Sequence, residues 1–540
     1  MYKNILLLLA LCLGTVYGRW VNFKVISFGK KVQVQIVGGK KYDLSLKESD
    51  DILFSYRLNK APEGVFKYYY IEDGEREPFV RQTGPKTKET YNEFFGRQED
   101  VKQLKTFSYP GTKWNKGIGR TPLFDQSYIP TIHITGKTIN DLMKKPRRKY
   151  FYLEKVKFYL KNDVITVTNV KTNPKNWGFA KFQMRMELLN GQNIYGRNLF
   201  KLRNGGEDPL NVRQYIYGNI IETLGMPSIK SVMVRVYYNK KPAGFYTLQE
   251  EAFSESFVKA EFHGDPKTQT IKNEKIGQPF NGESGAEFGY SNDMGYYSQF
   301  KANNNNPDKT KLQALTKAIS NLNPKNTKEL SNFEKQWLDI DTFHKAMAME
   351  YLTADWDGYW YANANFAVYD VPQESTKTTF KHYFITQDHD ETFGVGLEAP
   401  HNENGRDHPK LSYKTLISKH PHRVLVEKFI SSTPALQKRF EDTLVSIVEN
   451  IFNPVNFKEV VETYRERFTS EMEWDYALEH EYKPSQTASE NMPEYEFKDY
   501  KKNFTKRIGG LDWGLYEWVQ FRYDAITKEF GLTKRNVRDY

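Results

Sequence analysis

The stretch that decides the reading runs from Tyr351 to Gly394: YLTADWDGYWYANANFAVYD (351–370), a polar connection, then HYFITQDHDETFG (382–394). Two acidic turns, Asp355/Asp357 and Asp388/Asp390, flank a pair of strand-like segments, with Asn363 and Asn365 between them. NFAVY and HYFIT are rich in aromatic and β-branched residues and end in turn-formers, which predicts an antiparallel hairpin. Such a hairpin brings both acidic turns to one end. Carboxylates gathered beside an amide, with no softer ligand near, suit a hard cation such as Mg2+. A metal held there suits phosphoryl transfer. Asp also closes turns and caps helices through its own backbone, so the pattern taken alone leaves a purely structural role open.

Around this stretch lie 540 residues, 39% hydrophobic and 15% aromatic, a composition that excludes a disordered chain. Lys3, the apolar run Ile5 to Leu13 and the small-x-small Val16-Tyr17-Gly18 read as a cleaved signal peptide over residues 1–18. That run is too short to span a bilayer, no later segment is long enough, and the final LTKRNVRDY is polar. The expectation is a secreted protein with no membrane span and no lipid-anchor tail. Cys12, the single cysteine, lies in the signal, so the mature chain is expected to lack disulfides, thiolate metal sites and cysteine nucleophiles. The net charge of +11 is spread along the chain, and clusters such as Lys144-Lys145-Pro146-Arg147-Arg148-Lys149 are short. Solvated lysines explain it, and no zinc-finger spacing or RNA-binding aromatic motif makes nucleic acid a partner. Asn503-Phe504-Thr505 is the one N-glycosylation sequon.

Taken in order, residues 19–110 read as a small β-sandwich. Val21, Phe23 and Val25 line one strand face and Val32, Val34 and Ile36 another, with Tyr68 to Tyr70 as core. Residues 111–149 read as a linker or wrapping segment. From 150 to 253, YFYLEKVKFYLKN, DVITVTNV and KFQMRMELLN read as strands. A helix is expected from Leu210 to Leu224, capped by Asp208, opened by Pro209 and stopped by Gly225. A hairpin turned by Asn239 to Ala243 then ends in Glu250-Glu251, completing a plausible nucleotide-binding lobe. Residues 254–540 are largely helical, with apolar stripes in 428–452, 457–474 and 514–532. The 10 histidines show no H-E-x-x-H and no pair at helical spacing, and His389 is expected as an outward turn residue.

FKLRNGGEDP, a helix beginning with Arg213, GMPSIKSVMVRVYYNKKPAGFYTLQEE, DWDGYW and QDHDETFG occur in this order and at this spacing. Together they resemble the CotH family, named for a spore-coat protein and found in secreted and surface proteins of fungi. The resemblance runs from about residue 21 to the C-terminus and is strongest to the fungal branch. It implies an α+β, atypical protein-kinase-like two-lobed fold behind the small β-sandwich, with lobes at 150–253 and 254–540. It also implies phosphorylation of proteins with ATP and Mg2+ or Mn2+. By this likeness Asp357 is the catalytic base that takes the proton of the attacking hydroxyl. Asp388, with Asp390, binds metal, and Asn365 or Asn363 is the second ligand. Lys181 or Arg185 falls where the family carries a basic residue over the phosphates, and Glu250 sits where a link between lobes meets the nucleotide.

Three departures stand against an active kinase. If Arg185 rather than Lys181 is the matching position, it is not equivalent to a phosphate-contacting Lys. Gln214 replaces the Glu of an ordinary Lys–Glu pair. Neither a G-x-G-x-x-G loop nor an HRD-like triplet is present, and Gly282-Glu283-Ser284-Gly285 is neither a Walker loop nor a nucleophile elbow. The leading expectation is a secreted kinase acting on Ser/Thr of secreted or cell-wall proteins. The alternative is a catalytically silent, adhesin-like binding protein that engages a host or wall ligand. A glycoside hydrolase using Asp357 and Asp388 ranks third.

Overall fold

Strand alternation organises the N-terminal part of the chain. A computed structural model describes residues 19–147, 149–304, 306–420 and 422–533, so the signal expected at 1–18 lies outside the described residues. Two compact units are present: residues up to Asp100 together with Lys161–Asp163, and the remainder. In the first, Val21–Ile26 pairs with Leu53–Leu58 in one sheet, and Val32–Ile36 pairs with Lys67–Glu72 in another. The alternate residues Val21, Phe23, Val25, Val32, Val34, Tyr68 and Tyr70 fill the core between the sheets. Tyr68 and Tyr70 both donate to Glu93 at 2.6 Å, so the aromatic run is core with satisfied hydroxyls. This unit ends ten residues earlier than the sequence boundary at 110.

The second unit is built on a closed seven-stranded barrel. Its strands follow the order Phe151–Tyr159, Val164–Lys175, Gln183–Glu187, Leu199–Arg203, Lys241–Glu250, Ser231–Tyr238 and Thr131–Thr135. Thr131–Thr135 closes the barrel, parallel to Ser231–Tyr238 and antiparallel to Phe151–Tyr159. The segment read as a linker at 111–149 therefore supplies a stave, and its Ile132 and Ile134 join the barrel interior. Asn239 and Lys240 both take positive φ, the two-residue turn geometry that matches strand twist.

The helix expected from Leu210 forms at Arg213–Thr223, because residues 210–212 are held in a turn by Asp208. Its carboxylate accepts from the backbone N–H groups of Leu210, Val212 and Arg213, and pairs with the Arg213 guanidinium. Arg213 is fully buried, and its other arm donates to Asn503 Oδ1 at 2.7 Å. Asn503 is itself 0% exposed and donates to the carbonyl of Trp513, so the sequon is closed to glycosylation in the folded chain. Endoglycosidase treatment should leave the protein's mobility unchanged. Asn503→Ala should destabilise by about 2–3 kcal/mol by leaving a buried guanidinium arm unpaired. A glycan detected at Asn503 on folded protein would refute this assignment.

Helices dominate after residue 305, including Thr310–Asn321, Ile340–Thr353, Pro434–Asn450, Pro454–Tyr476 and Leu515–Phe530. Leu312, Leu315 and Ile319, Phe440 and Leu444, and Trp518 and Ile526 share one large core with Phe343 and Met347. The fold is α+β. Among the described residues no helix is long and apolar enough to cross a membrane.

His344 in the helix Ile340–Thr353 is fully buried, its Nε2–H donating to the carbonyl of Phe429 at 2.7 Å. Burial lowers its pKa to about 4, against about 6.5 in an unfolded chain. A depressed histidine contributes stability that is complete above the unfolded value and is lost as pH falls toward the folded one. The loss is at most about 1.4 kcal/mol per pH unit. The melting temperature should fall over that window, and less steeply in His344→Gln, whose amide can keep the bond. Equal slopes in both proteins would count against this.

Candidate active site

The expected hairpin is present. Phe366–Asp370 pairs antiparallel with His382–Thr386, in the register Phe366↔Thr386 to Asp370↔His382. A further strand, Pro279–Gly282, flanks it on the other side, which the sequence pattern did not reveal. Asp388 follows the hairpin by two residues, and the turn carrying Asp355 and Asp357 precedes it.

The first acidic turn is held by its own neighbourhood. Ala354 ends the helix Ile340–Thr353 in the left-handed conformation. Glu350 then accepts from the N–H groups of Tyr359 and Trp360 at 3.1 and 2.7 Å, capping the short helix Tyr359–Ala362. Arg423 closes its other end through the carbonyls of Tyr359, Trp360 and Tyr361. Gly358 lies close to both turns of this arrangement: a Cβ there would be 2.9 Å from Glu350 Cδ and 3.0 Å from the Asp355 carbonyl oxygen. Asn365 Nδ2 donates to the Asp357 carboxylate, fixing its orientation. Asn365, expected as a metal ligand, is thus in direct contact with Asp357, the expected base.

The second acidic turn is held from the barrel. In Leu199–Arg203, Phe200 and Leu202 point into the barrel interior, so Lys201 and Arg203 face the opposite way. Arg203 pairs with both Asp388 and Asp390, and Lys201 Nζ lies 3.3 Å from Asp388 Oδ2. Partial burial pushes the Asp388 pKa up, but Arg203 and Lys201 outweigh it and hold the carboxyl well below the usual range. His389 is buried rather than outward. Its N–H donates to Gln214 Oε1 at 2.6 Å and its Nδ1 lies 2.7 Å from Asp355 Oδ2. Its ring stacks on Tyr217 at 3.6 Å. Gln214 thus ties the barrel-side helix to the acidic turn by an uncharged bond.

The expected residues divide accordingly. Asp355, Asp357, Asp388, Asp390 and Asn365 come together. Lys181 does not join them: it is paired with Asp475 and donates to the carbonyl of Phe245 at 3.0 Å. Arg185 shares the face of Lys201, its cross-strand partner, but is engaged by Glu251 at 2.8 Å and Asn303 at 2.9 Å. Glu250 is the cross-strand partner of Phe200 and so faces the other way, bound to Arg197 at 2.6 Å and to the N–H of Lys230. The cations on the acidic turn are instead Lys201 and Arg203, both inside FKLRNGGEDP. Their alternation with Phe200 and Leu202 was the available signal.

Glu207 and Glu391 complete a cluster in which carboxylates outnumber cations. Burial and the neighbouring Asp355, Asp388 and Asp390 push Asp357 well above the usual carboxylate range. Burial, then Asp390, raises Glu207 to about 7. Burial, then Glu207 and Asp357, raises Glu391 to about 9. Asp355 Oδ1 and Asp357 Oδ1 are buried with no hydrogen-bond donor. Hard oxygen donors in excess of positive charge fit a divalent cation. However, among the described residues no three His, Cys, Asp or Glu side chains converge at metal-holding geometry. Arg203 and Lys201 occupy the Asp388 carboxylate that a metal would share.

With this geometry established, comparison with known proteins identifies the family. A family model described as CotH kinase protein matches residues 172–505. The chain belongs to the CotH family. The match covers the last part of Val164–Lys175, both acidic turns, the hairpin and the buried Asn503. Spore coat protein homolog 1 of Rhizopus delemar is 29% identical, over 97% of this chain and 84% of that protein. Invasin CotH7 of the same organism is 30% identical, over 86% of this chain and 76% of its own length. Invasin CotH3, also from Rhizopus delemar, is 28% identical, over 95% and 85%.

Proposed function

We propose that this CotH protein is a secreted protein kinase that transfers the γ-phosphoryl group of ATP to Ser/Thr hydroxyls of secreted or cell-wall proteins. One observation carries the reading. The hairpin sets Asp357, clamped by Asn365, within electrostatic reach of Asp388, which Lys201 and Arg203 hold from the barrel. Phosphoryl transfer asks for that division of labour: one carboxylate for the incoming hydroxyl, another for metal, and a cation for the phosphates.

Mg2+ or Mn2+ bound by Asp388, with Asp390, would neutralise phosphate charge. The chain's own groups do the rest. Burial and the neighbouring carboxylates make Asp357 more basic, and a cation bound among them would return it to the ionised form that accepts the proton of the acceptor hydroxyl. Lys201 and Arg203 are placed to move from Asp388 onto phosphate oxygens when the nucleotide enters. Arg203 presents a planar fork suited to two oxygens. The names of the relatives, spore coat homolog and invasin, support a surface or extracellular setting.

The test is nucleotide with Mn2+. It should raise the melting temperature of the mature protein through ligand linkage, and label from γ-labelled ATP should appear on the protein. Asp388→Ala should lose both. The competing reading, a silent binding protein, is favoured by the occupied state of the Asp388 carboxylate. It predicts no label on wild type and surface binding that survives Asp388→Ala.

A further inference from the structure

Away from the acidic cluster, three histidines far apart in sequence meet around Tyr361. Ring centroids of His401, His408 and His420 lie 6.3, 6.4 and 5.5 Å from the Tyr361 ring. They line a cavity of about 260 Å3 together with Arg522 and Lys419. The volume is below the roughly 300–1,000 Å3 of ordinary small-molecule pockets, so a single small group is what fits.

The lining is built and unsatisfied. His408 is 4% exposed and Arg522 1%. Arg522 Nη1 donates to the carbonyl of Leu411 at 2.8 Å, while its Nε is buried with no acceptor. His408 Nε2 lies 3.4 Å from the Tyr361 hydroxyl, and the Nδ1 atoms of both His408 and His401 are buried without partners. Acidic charge at the rim comes from Glu403, 3.5 Å from Lys419. Burial, with nearby cations adding to it, holds the imidazoles neutral. Burial, then Arg522 and Lys419, lowers His408 to about 3, and burial, then Arg423, lowers His420 to about 4.

We propose that this cavity is an anion site that takes one small oxyanion, a phosphate-like or carboxylate group. A guanidinium has no acceptor capacity and the buried Nε–H of Arg522 lacks a partner, while each neutral imidazole has an N–H to donate, so the complementary ligand offers acceptors. A metal ion is the obvious rival for three histidines. It is disfavoured because Arg522 and Lys419 repel a cation at short range. The rings of His401 and His420 also stack at 21° rather than converging. Trp356, next to Asp357 in sequence, packs on His401 at 5.4 Å, so an anion here would sit beside the acidic turn. The inference does not depend on phosphoryl transfer.

Sulfate, whose charge is constant over the working pH range, is the probe, titrated into nucleotide-free protein against sodium chloride at equal ionic strength, with acetate as a parallel arm. The expected result is saturable stabilisation by sulfate, acetate or both. The apparent affinity should be about tenfold weaker in His401→Asn and His408→Asn and unchanged in Lys201→Met, which removes a cation from the other place where sulfate could bind. A response to sulfate alone assigns a tetrahedral anion, and an equal response to acetate assigns a carboxylate. Because His401 is only partly buried, its variant keeps the test informative if His408→Asn fails to fold. Three results overturn the proposal: no saturable response, a response lost in Lys201→Met but kept in both histidine variants, or stabilisation by Zn2+ in place of the anions.

Discussion

Asp357→Asn should lower phosphoryl transfer by about 10²–10⁴-fold, the usual range for losing a general base. The nucleotide–Mn2+ thermal shift should survive. The reasoning starts from burial. Asp357 Oδ1 has no hydrogen-bond donor, and its surroundings press it toward the protonated state. An amide of the same shape keeps an oxygen for Asn365 and, like the protonated carboxyl, buries no charge, so the ligand-free melting temperature should stay level or rise. Single-turnover rates and melting curves on the same preparation decide it. A rate within threefold of wild type would remove Asp357 from the chemistry, and a large loss of stability would give it a structural role.

Arg203→Met should be the most damaging single change to stability in the site, at about 3–5 kcal/mol. That is the cost of breaking a buried pair from one side. Arg203 is 4% exposed and answers both Asp388 and Asp390, with Glu207 adding a third carboxylate. Without it, Lys201 alone faces the cluster. Added Mn2+ should therefore stabilise Arg203→Met more than it stabilises wild type, because the cation takes over the neutralising role. Denaturant unfolding with and without Mn2+ reads both effects. A loss under about 1 kcal/mol, or no extra response to Mn2+, would show that the cluster is balanced in some other way.

The sequence made the hairpin and its acidic turns legible because both signals are local: β-branched and aromatic runs, turn-formers at the ends, carboxylates at fixed offsets. Helix ends were legible for the same reason, with Asp208 and Gly225 acting on their own neighbours. Contacts made by distant segments were not legible. Thr131–Thr135 sits in a turn-rich stretch, and its Ile-His-Ile alternation spans only five residues, too few to outweigh its flanks. The basic residue over the site was sought at Lys181 or Arg185. KFQMR and FKLR have nearly the same pattern, and only the strand pairing shows which cations meet Asp388. His389 was misread as outward because its burial depends on Tyr217 and Gln214, more than 170 residues away in the chain.

The bond from Gln214 to the backbone of His389 carries a further consequence. Where a charged pair holds the same turn, as Arg203 does at Asp388 and Asp390, its strength varies with ionic strength and with the titration of either partner. An amide oxygen and a peptide N–H have neither dependence near neutrality. This one tie between the helix and the acidic turn therefore keeps its strength whether the surroundings are dilute or saline. Salt or pH would act on this turn through the Lys201 and Arg203 pairs and leave the Gln214 contact as its anchor.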